Sequence, residues 1–166
     1  MGEKLGKEDW VRLAMMVAGL LAAVTVAVPA ALGAGTDPKA SATFLGAIQV
    51  KGKTATLKVR YQCSAGATGL WVSAKQTKSG VSAAKLMKEG SSRVAATWWD
   101  SHRNRFVCNG KAHTATVTID TVEKGKKGVF VPGTAWVQFC VTKGHTEKDT
   151  VLLLSKSAWV HVHSSV

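Results

Sequence analysis

"TATLKVRYQC" (54–63) decides how this chain folds. Ala55, Leu57, Val59, Tyr61 and Cys63 alternate with Thr54, Thr56, Lys58, Arg60 and Gln62. A period of two with one apolar and one polar face predicts a strand in an antiparallel sheet that is wet on one side. The same period spreads in both directions. "TFLGAIQV" (43–50) reads as a first strand joined through "KGK" by a short hairpin. "LWVSAKQT" (70–77) reads as a third. "RVAATWW" (93–99), a turn at "DSHRN" and "RFVC" (105–108) read as a further hairpin. "HTATVTID" (113–120) follows an Asn-Gly turn, and "TAWVQFCVT" (134–142) and "SAWVHVH" (157–163) complete the set, with "TVLLL" (150–154) extending the last strand. Only "SAAKLMKEG" (82–90) carries helical signals, with Ser82 placed to cap its start and Gly90 its end. The expectation is one all-β domain over residues 43–163, an antiparallel immunoglobulin-like sandwich of about seven strands.

Ahead of it, "LAMMVAGLLAAVTVAVPAALGAG" (13–35) is uncharged and almost wholly apolar, preceded by Lys4, Lys7 and Arg12 and followed by small residues. This is the make-up of a secretory signal helix, here residues 1–34. Cleavage after Gly33 or Ala34 lies close to the apolar run; cleavage after Ala42, behind "ASA", fits the small-x-small rule better but lies further away. The alternative is an uncleaved membrane anchor, since about 20 apolar residues span a bilayer. Both readings place the domain outside the cytoplasm, where thiols oxidise.

Three cysteines then allow one bridge and one free thiol. Closing the 63–108 loop or the 63–140 loop stabilises by about 4 kcal/mol either way, so chain entropy does not choose. A Cys63–Cys140 bridge would match the tie between the second and sixth strands of immunoglobulin-type domains. Facing tells against it: Ala135, Val137, Phe139 and Val141 form the apolar face of their strand, so Cys140 points away from the core with Trp136 and Gln138.

The segments "VRYQC", "LWVSAKQ", "VCNGKAHTATV" and "PGTAWVQ" together resemble a group of small secreted actinobacterial proteins classed as a domain of unknown function. The resemblance covers residues 43–163. It implies an immunoglobulin-like β-sandwich and a bridge between Cys63 and Cys108, and it leaves Cys140 without a counterpart, as a free thiol. The stretch from Lys78 to Asp100 is longer than the resemblance implies. No activity comes with it.

The formal charge is +12, and the segment before Gly35 is balanced, so the exported part keeps all of it. Such a field draws polyanions without specific contacts, and equally serves solubility. The densest basic stretch, "EKGKK" (123–127), reads as a hairpin tip. Catalytic constellations are scarce. Seven carboxylates follow the leader, none paired at i and i+2 on one strand, and "DSH" (100–102) cannot face itself as a triad must. Neither a nucleophile elbow nor a phosphate-cradling loop occurs, which rules against nucleotide binding and leaves no cofactor implied.

Two groups of residues remain as candidates. His161 and His163 stand two apart on one strand, a spacing that grips zinc or copper when His113, His145 or Cys140 supplies a third ligand. Trp98, Trp99 and Trp136, with Arg103 and Arg105 across a turn, fit a surface that contacts glycan or protein. The expectation is a secreted, non-catalytic binding or structural module at the cell surface. Its partner would be a cell-wall polymer or another secreted protein. The alternatives are a carbohydrate or polyanion binder using Trp and Lys/Arg, and an extracellular metal-binding protein or hydrolase.

Overall fold

The computed structural model describes residues 39–120, 127–144 and 149–164. Residues 1–34, expected to be a signal segment, most of the "EKGKK" stretch and His145 lie outside the described residues. Seven strands follow one another: β1 (Ser41–Lys51), β2 (Thr54–Gln62), β3 (Gly69–Gln76), β4 (Thr97–Arg103), β5 (Ala112–Asp120), β6 (Gly133–Lys143) and β7 (Val151–Ser164). The alternation read in β2 holds throughout: Ala55, Leu57, Val59, Tyr61 and Cys63 are all buried. So does that of β6, where Ala135, Val137, Phe139 and Val141 are fully enclosed. Gly52, at φ 59°, makes the tight β1–β2 turn that the "KGK" stretch predicts.

The all-β expectation stands, but an open two-layered sandwich does not. The sheet closes into a barrel in the order β1-β2-β5-β4-β3-β6-β7. Nor is it wholly antiparallel, because β1 pairs with β7 in parallel at Ile48–Val162 through Val50–Ser164. Closure needs a bent first strand. Between Leu45, opposite Lys58, and Gln49, opposite Thr56, β1 advances four residues while β2 advances two. Gly46 sits in that bulge at φ 80°. Bulges bend a strand and raise its twist, and two extra residues leave the facing unchanged, so Phe44 and Ile48 both turn inward. The second seam is thinner still: β4 meets β5 at one register pair, Asp100 opposite Asp120.

Between β3 and β4 the chain departs most from the expected pattern. Residues 82–90 hold only a short 3-10 turn, Ala84–Met87, followed by a second at Ser91–Arg93. Ser82 does not cap; its hydroxyl pairs with that of Thr134 at 3.0 Å. β4 starts at Thr97 and continues through Asp100, Ser101 and His102, the residues expected to turn. "RFVC" is irregular chain rather than strand. The strap formed by residues 77–96 crosses the outside of the barrel, and its Leu86 and Ala95 are buried without belonging to the main core cluster.

Candidate functional site

Cys63, at the end of β2, is bonded to Cys108, just ahead of β5, with a Cα–Cα distance of 4.9 Å. The bridge ties neighbouring strands rather than opposite layers, and the Gly110 N–H donates to the Cys63 carbonyl beside it. Cys140 is free and half-buried on the outer face.

That outer face is the notable surface of the molecule. On β4, β3, β6 and β7, every residue that alternates with the core points out from the barrel, and the register places them in rows. Trp98, Lys75, Trp136 and Trp159 form one row across the four strands. Asp100, Ser73, Gln138 and Ser157 form the next, and His102, Trp71, Cys140 and Ser155 the third. Four indoles thus share one face with a lysine, an aspartate and a glutamine.

The indoles are held, not loose. Trp98 Nε1 donates to Ser73 Oγ at 3.1 Å, and Trp71 Nε1 donates to Asp100 Oδ2 at 3.0 Å. Trp136 and Trp159 pack edge to face, centroids 5.3 Å apart, the arrangement that ring quadrupoles favour. All four remain half-exposed. Beneath them Ser73, Lys75 and Asp100 are buried. Lys75 Nζ donates to Gln138 Oε1 at 2.6 Å and to Ser91 Oγ of the strap at 2.9 Å, while Ser91 Oγ donates on to the Leu86 carbonyl at 2.8 Å. Loss of water around the ammonium lowers the Lys75 pKa below its ordinary value. The Nε1 of Trp136 is buried with no hydrogen-bond partner among the described residues.

The residues singled out from the sequence separate into distinct places. Trp98 and Trp136 lie on the outer face. Trp99 does not belong with them: it is 2% exposed, packs on Phe130 at 4.9 Å and donates to the Gly128 carbonyl, so it is core. Arg103 and Arg105 sit past the aromatic rows, where β4 leaves β5. His161 and His163 are exposed while Val160 and Val162 point inward. Cys140 stands opposite Ser155, six residues along β7 from His161, or about 20 Å. His113 is engaged with Asn109 on β5. Among the described residues no group of three His, Cys, Asp or Glu gathers to hold a metal.

Lys75, Trp71 and Trp159 were missed as members of the face, although a signal existed. Extending the parity of β3, β6 and β7 away from the core puts Trp71, Ser73 and Lys75 alongside Trp136, Gln138 and Trp159.

No protein-family model matches the chain, and no curated protein matches it. Among solved structures it is similar to one described as the crystal structure of the C-terminal domain of wzt, at 13% identity, covering 80% of this chain and 81% of that one, with a TM-score of 0.35. A likeness this distant carries no argument about function. The class defined by the chain itself is an all-β, disulfide-tied barrel with a fixed aromatic face.

Proposed function

We propose that this is an exported, non-catalytic binding module at the cell surface, and that it contacts carbohydrate-bearing wall polymer through the outer face of β4, β3, β6 and β7. One observation carries the reading: Trp71, Trp98, Trp136 and Trp159 stand half-exposed on one face, held by hydrogen bonds or by one another. Indoles fixed in advance lose little rotamer freedom when a ligand arrives, so more of the contact energy survives as affinity. Flat apolar rings bordered by Ser155, Ser157, His102 and His161 offer both what a sugar ring stacks on and what its hydroxyls bond to. The surplus of 12 positive charges adds non-specific attraction to anionic wall polymers. Export is supported by the leader composition and by the Cys63–Cys108 bridge, which persists in oxidising surroundings.

Co-sedimentation of the purified protein with chitin, peptidoglycan and teichoic-acid-bearing walls tests this, repeated at about 1 M salt where charge attraction is screened within roughly 3 Å. Binding that persists in salt and is lost in Trp98→Ala and Trp159→Ala, with thermal unfolding still cooperative, supports the reading. Absence of binding to every wall fraction, or binding that salt abolishes, overturns it.

A further inference from the structure

The thin seam between β4 and β5 opens into a second site, unrelated to the aromatic face. Past the Asp100–Asp120 pair no further backbone register joins the two strands. Side chains stitch the opening instead: the Asp120 N–H donates to Ser101 Oγ at 3.1 Å, and Arg103 Nη2 reaches the Thr118 carbonyl and Asp120 Oδ2, each at 3.4 Å. Beyond them lies a cavity of about 290 Å³. Its floor is the barrel interior, with Tyr61, Leu70 and Val117, and Phe106 closes it from the irregular segment that the Cys108 bridge pins down. Arg103 and Arg105 line the same cavity, and among the described residues no carboxylate does.

We propose that this cavity binds a small amphipathic anion: a carboxylate or phosphate head at the two arginines and a short apolar body inside. The reasons are chemical and geometric. A cavity near the lower end of ligand-pocket volumes, walled by apolar side chains with a few polar groups at one side, is the usual form of a small-molecule site. Tyr61, Thr116 and Thr118 bring neutral polar groups to the lining, and its two charged groups, Arg103 and Arg105, are both cationic. Arg103 spends part of its charge on Asp120, whereas Arg105 is exposed and has no ion-pair partner among the described residues. A guanidinium offers forked donors matched to carboxylate or phosphate oxygens. The apolar body would replace water against Leu70, Phe106 and Val117, while a neutral ligand of the same length would leave the cationic mouth unanswered.

Titration calorimetry with decanoate, decyl phosphate and decanol tests the site, and comparison of the first two identifies the preferred head. At least one anion should bind saturably, with decanol weaker by at least about tenfold, the equivalent of 1.4 kcal/mol. Arg105→Glu, an exposed position, should weaken the anion by a similar factor, and Ala115→Phe, which fills the cavity, should do the same. Lys156→Glu, an equal charge change on exposed β7, should leave binding intact, as should Trp98→Ala on the aromatic face. The proposal falls if decanol binds as well as the anions or if none of the three binds. It falls equally if Arg105→Glu and Lys156→Glu have the same effect.

Discussion

Lys75 Nζ lies 2.6 Å from Gln138 Oε1, joining β3 to β6 beneath a strap whose Ser91 accepts a second hydrogen bond from the same ammonium. A lysine in this setting is a bolt between the strap and the sheet. It has lost most of its water, and its folded pKa is lowered for that reason.

Replacing Lys75 by Met should therefore destabilise the domain at pH 7 by about 1–2 kcal/mol, because Gln138 and Ser91 lose a charged donor in a buried place. The pH dependence follows from the sign of the shift. Between the lowered folded pKa and the ordinary 10.5, the unfolded chain holds more protons at this site than the folded one. Stability contributed by Lys75 thus rises with pH through that window and is flat below it. Urea unfolding at pH 7 and pH 10 should show the wild type gaining on Lys75→Met at the higher pH. An unchanged difference would remove the desolvated lysine from the account.

Trp98 and Trp99 are adjacent but belong to different structures, so truncating them should separate two effects. Trp99→Ala should cost about 3–5 kcal/mol, as a core indole packed edge-on against Phe130 is deleted. Trp98→Ala should cost markedly less, since its ring is only partly buried, on the outer face, where it donates to Ser73. Denaturant midpoints of the two variants give the comparison, and equal losses would mean that Trp98 is packed as deeply as its neighbour.

This pair also marks how far the residues alone could be read. Where a strand carries an unbroken alternation, as in β2 and β6, facing was legible and every inward position is buried. From that facing alone Cys140 could be set outward, away from Cys63. β4 has no such pattern: Thr97, Asp100 and Ser101 are polar yet buried, because Val129, Trp71 and the Asp120 backbone supply their partners from elsewhere in the chain. Such residues read as a turn when their partners are unknown. Barrel closure was illegible for a related reason. It depends on which free edges meet, and β1 and β7 lie at opposite ends of the domain. The aromatic face stood between these cases, since its parity was present in the sequence but the position of the strap was not.

The Cys63–Cys108 bridge spans a sequence separation of 45, enclosing β3, the strap and β4. Removing a closure of that length should cost about 4 kcal/mol through the freedom returned to the unfolded chain. A Cys63→Ser, Cys108→Ser double variant should unfold at correspondingly lower urea and lose its sensitivity to reductant. A wild type whose midpoint is unmoved by reductant would show that the bridge contributes nothing.

Cys140 should behave as a guarded thiol. Burial raises its pKa above the ordinary thiol value, and the hydrogen bond to Ser155, at 3.8 Å, offsets that only in part. The attacking species is the thiolate, so a raised pKa and a half-covered sulfur both slow alkylation near neutral pH. Iodoacetamide at pH 7.5 should label native protein far more slowly than denaturant-unfolded protein, and the native rate should keep rising with pH beyond the ordinary thiol range. Ser155→Ala should slow native labelling further, since it removes the one contact that favours the thiolate. Labelling of the native chain at the unfolded rate would place the sulfur in open solvent and end the case for a shielded position on the β6–β7 face.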